Sequence, residues 1–581
     1  MMNTRLWYIF MPLAFLLAAS LLTSGCQKEV SVTGSADRLQ SDDIVVRLRI
    51  GCPPVTRSSL DRIENEGEYT LGFTAEEHKI NSLTLIMMRV VNGREVFEMA
   101  RTVDISEMTD TDKDGYLEAE FELAGVKGLK HFYVGANMTP QHVGAFTVDD
   151  KVMILDTDTD GHNITGQLMT VDHNTGAGSD VLMTGTLTIN GNPDIVIDDI
   201  ATDGAGTQLI EKKDGKLVMD LSDKGTVSLD KAVAKVLLTC KTVEGSSNGN
   251  AYVVDAKDEE GNNGLPGGNT GWIKTDNVRY LLNVMNRREY AVFREDASQN
   301  LIDPNYEMSD FIEYRSDRGG YGLKNLEHYE SNFIYYDTQD MTDLLTGDTP
   351  PVDGDCRRST VLPYDEKKLD KSDPSNHYTD GLYCPENMVH KMDFKDGEED
   401  EFMSVNRFVS THLVISARYT PRQIWVAENG KLEQKTFSSE DDAKNYLPEI
   451  TSSDIVPLHY QQGTFWYETK DKEYYSFDAM KLKNENSDGL PEDEKPSFTR
   501  YDGGWCYYFS FIDGNNTDGI IDYNEQDHWG VKRNHYYIVN VTKIVAPGSA
   551  YPGNEMMRIH SELLDWIDKG GSDVELDVPQ Q

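Results

Sequence analysis

The feature that most constrains this chain is the alternation of apolar and polar residues in short runs separated by turn formers. Residues 44–50 read Ile-Val-Val-Arg-Leu-Arg-Ile, which puts Ile44, Val46, Leu48 and Ile50 on one side of an extended segment and Arg47 and Arg49 on the other. A period of two marks a strand with one buried face. Gly51-Cys52-Pro53-Pro54 ends the run, because proline has no amide proton to give to a ladder. Comparable runs recur at 83–91, 131–134, 234–239, 413–419, 507–512 and 536–544, with Asp, Asn and Gly clusters between them; such clusters favour turns. Long helical periods are few. Short strands with frequent turns predict an all-β chain built from β-sandwich domains.

At 581 residues the chain is long enough for two or three cores. The stretches 244–271, rich in Gly and Asn, and 337–376, rich in Asp, Pro and Lys, read as long loops. A change of composition at 223–231 precedes a fresh apolar strand and sets the expected domain boundary. Lys plus Arg is 55 against 99 for Asp plus Glu, a net charge of −44. A surface this acidic repels nucleic acid and anionic membranes, so nucleic-acid functions are excluded. The acids are spread along the chain and accompany 29 tyrosines, as in a folded, surface-exposed protein.

The first thirty residues supply the address. Arg5 is followed by an apolar run from Leu6 to Leu22, then small residues and a cysteine, the order of an export signal. The apolar run is near the lower limit of about 17 residues for a membrane-spanning helix, and no basic stop-transfer flank follows it. Thr23-Ser24-Gly25-Cys26 resembles a lipobox, in which the thiol of Cys26 takes a lipid and becomes the new N-terminus. Several acyl chains hold a protein on a bilayer far better than one. The expectation is a lipoprotein, exported and anchored through Cys26.

Six cysteines in so long an exported chain do not make a disulfide framework. Cys52, Cys240, Cys356, Cys384 and Cys506 show no C-x-x-C spacing, which argues against zinc; Cys356 with Cys384 is the pair singled out for oxidation. Three acidic loops, around Asp110 to Gly115, Asp156 to Gly161 and Asp513 to Asp522, bring hard oxygen ligands near a glycine turn. The first two open like an EF-hand loop, yet their twelfth positions are Phe121 and Gln167 instead of a bidentate Glu. They read as solvated turns. No nucleophile elbow, His-Glu-x-x-His or cofactor motif is present, so neither a catalytic residue nor a cofactor is assigned. The aromatic patches Thr464 to Tyr467 and Gly503 to Tyr508 read as strand packing before they read as sugar platforms.

Several segments together resemble the fimbrillin family of Bacteroides-type bacteria. They are Asn81-Ser82-Leu83-Thr84-Leu85-Ile86, Phe132-Tyr133-Val134-Gly135-Ala136-Asn137, Asp180 to Gly185, Leu229 to Val236 with its basic-Ala-x-Ala-basic pattern, Gly504 to Tyr508, and Gly530-Val531-Lys532-Arg533-Asn534-His535-Tyr536-Tyr537. Each is short, but their order runs from about residue 44 to 545. The resemblance implies two transthyretin-like β-sandwich domains in tandem with long loop insertions, and a surface fibre that mediates adhesion. It also implies an arginine-specific surface protease that removes the N-terminal strand, leaving a groove for a strand of the next subunit. Here that protease would cut between Arg57 and Ser58, with Arg62 the runner-up and Arg47 and Arg49 shielded inside the strand. The partners implied are other fimbrial subunits, that protease, the outer membrane through the lipid before processing, and a receptor on a host or bacterial surface.

The expected organisation is a signal peptide at 1–25, a lipidated propeptide with the removable strand at 26–57, β-sandwich domains at 58–228 and 229–545, and a tail at 546–581. Within the tail, Val574, Leu576 and Val578 alternate as a donor strand would, and 555–566 is a second candidate. A surface glycan-binding lipoprotein of a nutrient-uptake system is the competing reading, for which the aromatic patches would serve.

Overall fold

The structure, a computed structural model, describes residues 43–50, 76–108, 117–124, 127–147, 152–154, 168–171, 178–197, 210–221, 225–240, 251–254, 271–274, 278–294, 312–315, 320–346, 358–369, 376–388, 408–445, 466–512, 530–552 and 572–576, with Thr74 and Leu447, apart from gaps of one or two residues inside some ranges. The described residues form mainly strands in several sheets, as the alternation predicts.

The first group of strands is β1 (Asp43–Ile50), β2 (Ser82–Val91), β3 (Arg94–Asp104), β4 (Leu117–Ala124), β5 (Gly128–Ala136), β6 (Met183–Thr186), β7 (Ile195–Ile197), β8 (Ile210–Lys213), β9 (Lys216–Asp220) and β10 (Asp230–Lys231). One sheet runs β8-β9-β1-β4; the other runs β10-β6-β5-β2-β3, with β7 beside β5. Between them lies an apolar core in which Ile44, Val46 and Leu48 of β1 join Phe121 and Leu123 of β4, Leu83, Leu85 and Met87 of β2, and Phe132 and Val134 of β5. The other face of β2 is buried too, because Ile86 and Met88 belong to the core of the following group. A strand covered on both faces reads as a continuous apolar run, as 82–91 does. Asn92 and Gly93 close the β2–β3 hairpin with φ of 53° and 77°, the positive pair that suits a two-residue turn.

The second group is β11 (Ala234–Cys240), β12 (Arg279–Asn283), β13 (Leu382–Cys384), β14 (His412–Pro421), β15 (Gln423–Glu428), β16 (Lys431–Thr436), β17 (Trp466–Thr469), β18 (Tyr474–Tyr475), β19 (Phe498–Tyr501), β20 (Trp505–Phe511), β21 (Tyr536–Ile544) and β22 (Ser572–Leu576). In one sheet β11 lies parallel to β21 and antiparallel to β13. A second sheet centres on β14, which pairs with β12 and β20. All seven residues of β11 and of β20 are buried. A further sheet, β16-β15-β18-β17-β19, carries the helix Phe477–Glu485, whose first turn is capped by Ser476 Oγ accepting from the Ala479 amide.

The two presumed long loops contain regular structure. Strand Ala251–Val254 lies in 244–271, and a helix, Thr338–Thr346, and a strand, Arg358–Thr360, lie in 337–376. The helix forms in a polar stretch because the Asp337 carboxylate accepts from the Asp340 amide at its start and Met341 and Leu345, four apart, bury one face. Cys384 is a free, buried thiol on β13, and burial pushes its pKa up, which keeps it unreactive; Cys356 lies outside the described residues.

Candidate functional site

Two places draw the sequence motifs together: β1 with the sheet around it, and the junction between the two strand groups. β1 is an interior strand. It pairs in parallel with β9, Ile44 opposite Leu217 through Arg47 opposite Asp220, and antiparallel with β4, Asp43 opposite Ala124 through Ile50 opposite Leu117. Ile44, Val46 and Leu48 are 2%, 0% and 2% exposed. On the outer face Arg47 Nε donates to Glu120 Oε1 at 2.6 Å. The alternation read from the sequence therefore describes a strand whose apolar side is inside and whose arginine is held by its neighbour. Cys26, Arg57, Ser58 and Arg62 lie outside the described residues, as do the three acidic loops at their Asp clusters.

At the far end of the chain β22 pairs in parallel with β21, Val539 opposite Ser572 through Ile544 opposite Leu576. Among the described residues it is the outermost strand of its sheet. An outermost strand is held by backbone bonds on one side alone.

The junction is polar and buried. β10 belongs to the first group, pairing with β6, and Ala234 begins β11 of the second, so Ala232 and Val233 are all that separate the two sheets. Lys231 and Lys235, the two basic residues of the Leu229 to Val236 motif, turn inward here. Lys235 Nζ donates to Glu77 Oε1 at 2.7 Å and to the Thr379 carbonyl, and the Tyr383 hydroxyl donates to the same Glu77 oxygen. The other Glu77 oxygen accepts from the Thr74 amide. Lys231 Nζ donates to Nδ1 of His78 at 3.1 Å. Glu77 and His78 sit in a single 3-10 turn, Glu76–His78, just before β2.

Burial dominates the electrostatics. Desolvation raises the pKa of Glu77 and lowers that of Lys235, each against the pull of its partner. It also lowers His78 to about 3, helped by Lys231 and Lys235 nearby. A pair whose charges are both disfavoured by burial adds little net stability; it fixes which groups must meet.

The Gly530 to Tyr537 motif reaches the same junction. Arg533, 1% exposed, makes a two-point contact with Glu386, Nε to Oε2 at 2.6 Å and a second nitrogen to Oε1. One of its nitrogens also lies 3.7 Å from Glu289. Burial works against its charge, yet Glu289 and Glu386 hold its pKa above the ordinary value. Asn534, at φ 62°, accepts from the Lys231 amide at 3.1 Å and donates to Asp230 at 3.1 Å. Alternation does not mark Glu77 or Glu386 as special, since Lys235 and Tyr383 lie 158 and 306 positions from Glu77 and Arg533 lies 147 from Glu386.

The described rings of the aromatic patches are packing. Trp466 and Tyr467 are 1% and 7% exposed, and Trp505 and Tyr508 are 2% and 1%. Trp466 stacks on Tyr501 and donates its indole proton to the Tyr419 carbonyl at 2.9 Å. Among the described residues no group of three or more His, Cys, Asp or Glu is placed to hold a metal ion.

Residues 499–578 match the family model for the C-terminal part of the major fimbrial subunit protein type IV, fimbrillin. No curated protein matches the chain. Among solved structures the chain is similar to a candidate cell adhesion protein of Parabacteroides distasonis ATCC 8503, at 14% identity, covering 92% of this chain and 98% of that one with a TM-score of 0.36. It is also similar to a fimbrilin (fimA) of Porphyromonas gingivalis W83, at 13% identity, 93% and 99% coverage and a TM-score of 0.34. The tip fimbrial protein Mfa3 of Porphyromonas gingivalis, with a C-terminal truncation, gives 11% identity, 86% and 94% coverage and a TM-score of 0.25. The matched segment holds most of β19, all of β20 to β22 and the Arg533-Asn534 pair of the junction, and on it the resemblance to the fimbrillins read from the sequence is borne out.

Proposed function

We propose that this chain is a structural, non-catalytic subunit of a bacterial surface fimbrium, exported as a lipoprotein through Cys26, processed between Arg57 and Ser58, and polymerised by β-strand exchange. Adhesion is the output of the fibre. The observation that carries the reading is the place of β1: an interior strand joined to the rest of the chain by the segment that holds Arg57. A cut after Arg57 unlinks β1 and leaves every other described strand in one chain. Its departure uncovers the surface that Ile44, Val46 and Leu48 fill, about 5–9 kcal/mol of burial at the usual 1.5–3 kcal/mol for each side chain. It also leaves β4 and β9 with unpaired backbone facing each other across an empty lane. A strand from another subunit restores both.

The tail supplies a fitting donor. Ser572–Leu576 is extended and lies at a sheet edge, and the spacing of Val574, Leu576 and Val578 repeats that of Ile44, Val46 and Leu48. The lipid on Cys26 is then a temporary tether, discarded together with the blocking strand. The burial of Trp466, Tyr467, Trp505, Tyr507 and Tyr508 weighs against the glycan-binding reading.

Limited digestion with trypsin tests the proposal. The lipid-free precursor should lose its N-terminal segment, begin at Ser58 on N-terminal sequencing, and then form a ladder of oligomers. A stable start at Ile63, after Arg62, or elsewhere would remove the assignment of Arg57. Cleavage at Ser58 without any oligomer would remove strand exchange.

A further inference from the structure

We infer that the buried junction of Glu77, Lys235, Tyr383 and Arg533 is a conformational lock that makes the two strand groups open and close as one body, and that anchors the chain immediately after the processing segment. Among the described residues no metal cluster competes with it and the cysteines Cys240, Cys384 and Cys506 are buried, and the exposed apolar residues Val91, Val96, Ile105, Val196, Leu326, Leu490 and Tyr551 are scattered along the sequence.

Three observations carry the inference. First, the contacts join distant parts of the chain. Glu77 comes from the turn before β2, Lys235 from β11 and Tyr383 from β13, 158 and 306 positions from Glu77. Second, the groups are closed off from water, Glu77 at 0% and Lys235 at 2% exposure. A buried ion pair is a poor source of net stability but a strict condition on geometry, since parting the partners leaves each charge unpaired in a dry site. Third, the turn is pinned on its other flank as well. Asn137 Nδ2 donates to the Lys79 carbonyl at 2.9 Å and to the Val181 carbonyl at 3.0 Å, and its Oδ1 accepts from the Asn81 amide at 2.9 Å. Asn137 takes φ 58° to do so, a conformation that asparagine tolerates better than most residues.

The segment from Glu77 to Asn81 is thus tied to β5, to the loop before β6 and to the second strand group at once. Once residues up to 57 have gone, the new N-terminal arm remains fixed at this point, and the groove left by β1 opens against a rigid frame. This last consequence rests on the proposed processing; the lock itself does not. In a fibre, tension entering at the groove of the first group would leave by the tail of the second, and the junction lies on that route.

The test uses the uncleaved, lipid-free chain, so that its failure and the failure of strand removal are separate results. After the signal peptide all tryptophans fall at or beyond Trp272, so indole fluorescence reports the second group alone, while hydrogen exchange of β2 and β5 peptides reports the first. In the wild-type chain both probes should give one coincident urea transition. The triple variant Glu77→Met, Lys235→Met, Tyr383→Phe replaces the polar set by side chains of similar volume, which such sites usually accept without loss of stability. Its two probes should separate, and amides at 80–83 should exchange about tenfold faster or more while those of β14 keep their protection. A triple variant that still unfolds in one coincident transition with unchanged exchange at 80–83 overturns the lock. If the triple variant does not fold, the single Tyr383→Phe variant is read by the same exchange at 80–83, where a rise confined to that segment supports the lock and no change opposes it.

Discussion

Leu48→Ala separates the role of β1 as a structural strand from its role as a gate. Leu48 is 2% exposed and packs in the same core as Ile44, Val46, Ala119 and Phe121. Truncating a buried leucine to alanine removes its transfer free energy and leaves a cavity, about 2–5 kcal/mol in total. Taking about 3 kcal/mol, the population in which β1 has left its lane rises about a hundredfold, at about 1.4 kcal/mol per decade. Two assays follow. Urea denaturation of the lipid-free precursor should show the loss of stability directly. Incubation without protease should show oligomers that the wild-type precursor forms only after cleavage. The variant and wild-type chains become the same polypeptide once residues up to 57 are removed, so their processed forms must assemble alike. A precursor that loses stability without any protease-independent assembly would refute the gate, and a precursor that loses no stability would refute the packing of Leu48.

Three further outcomes are expected. Arg533→Met leaves Glu386 and Glu289 buried without their cation and should cost about 3–5 kcal/mol by urea denaturation, much of it recovered in the Arg533→Met, Glu386→Met double variant. Gly504→Ala puts a Cβ 2.9 Å from the Tyr419 carbonyl oxygen at φ 74°, whereas Gly430→Ala at φ 73° meets nothing within 4 Å; the first should therefore cost clearly more than the 1–2 kcal/mol or so of left-handed strain that both share. His78→Gln should flatten the acid limb of the stability curve. In the folded chain His78 is held at about 3 against an ordinary 6.5, so between those values the unfolded chain binds a proton that the folded chain refuses, and stability falls with falling pH. Glu77, whose folded pKa is raised, works in the opposite sense. Removing His78 should reduce the drop between about pH 6 and pH 4 by about 2.5 kcal/mol, measured by urea titrations at each pH.

Short alternating and apolar runs were legible as strands because their pattern is local. Residues 44–50 and 536–544 appear in the structure as β1 and β21, and the run at 131–134 is the centre of β5. The junction was not legible. Lys235 sits in a strand pattern as a basic residue of the kind that usually faces water, and only a carboxylate 158 positions earlier makes its burial tolerable. The sheet of β15 to β19 is likewise a product of distant pairing, β17 with β19 and β15 with β18. Its β15–β16 hairpin nevertheless carries a local sign, Asn429-Gly430 at φ 52° and 73°, a turn pair that announces a hairpin more strongly than alternation in its polar strands. The helix Thr338–Thr346 was not legible because its two buried apolar side chains, Met341 and Leu345, are enough to dock so short an element and too few to dominate its polar composition.

In the proposed exchange the lane of β1 changes owner on assembly. A structure of the assembled fibre at side-chain resolution measures this directly. The account predicts that the lane between β4 and β9 is filled by a strand from a neighbouring subunit, with Val574, Leu576 and Val578 or an equivalent alternating set in the places of Ile44, Val46 and Leu48, and that the first residue of each subunit is Ser58. A fibre in which each subunit keeps its own Asp43–Ile50 in that lane would contradict it.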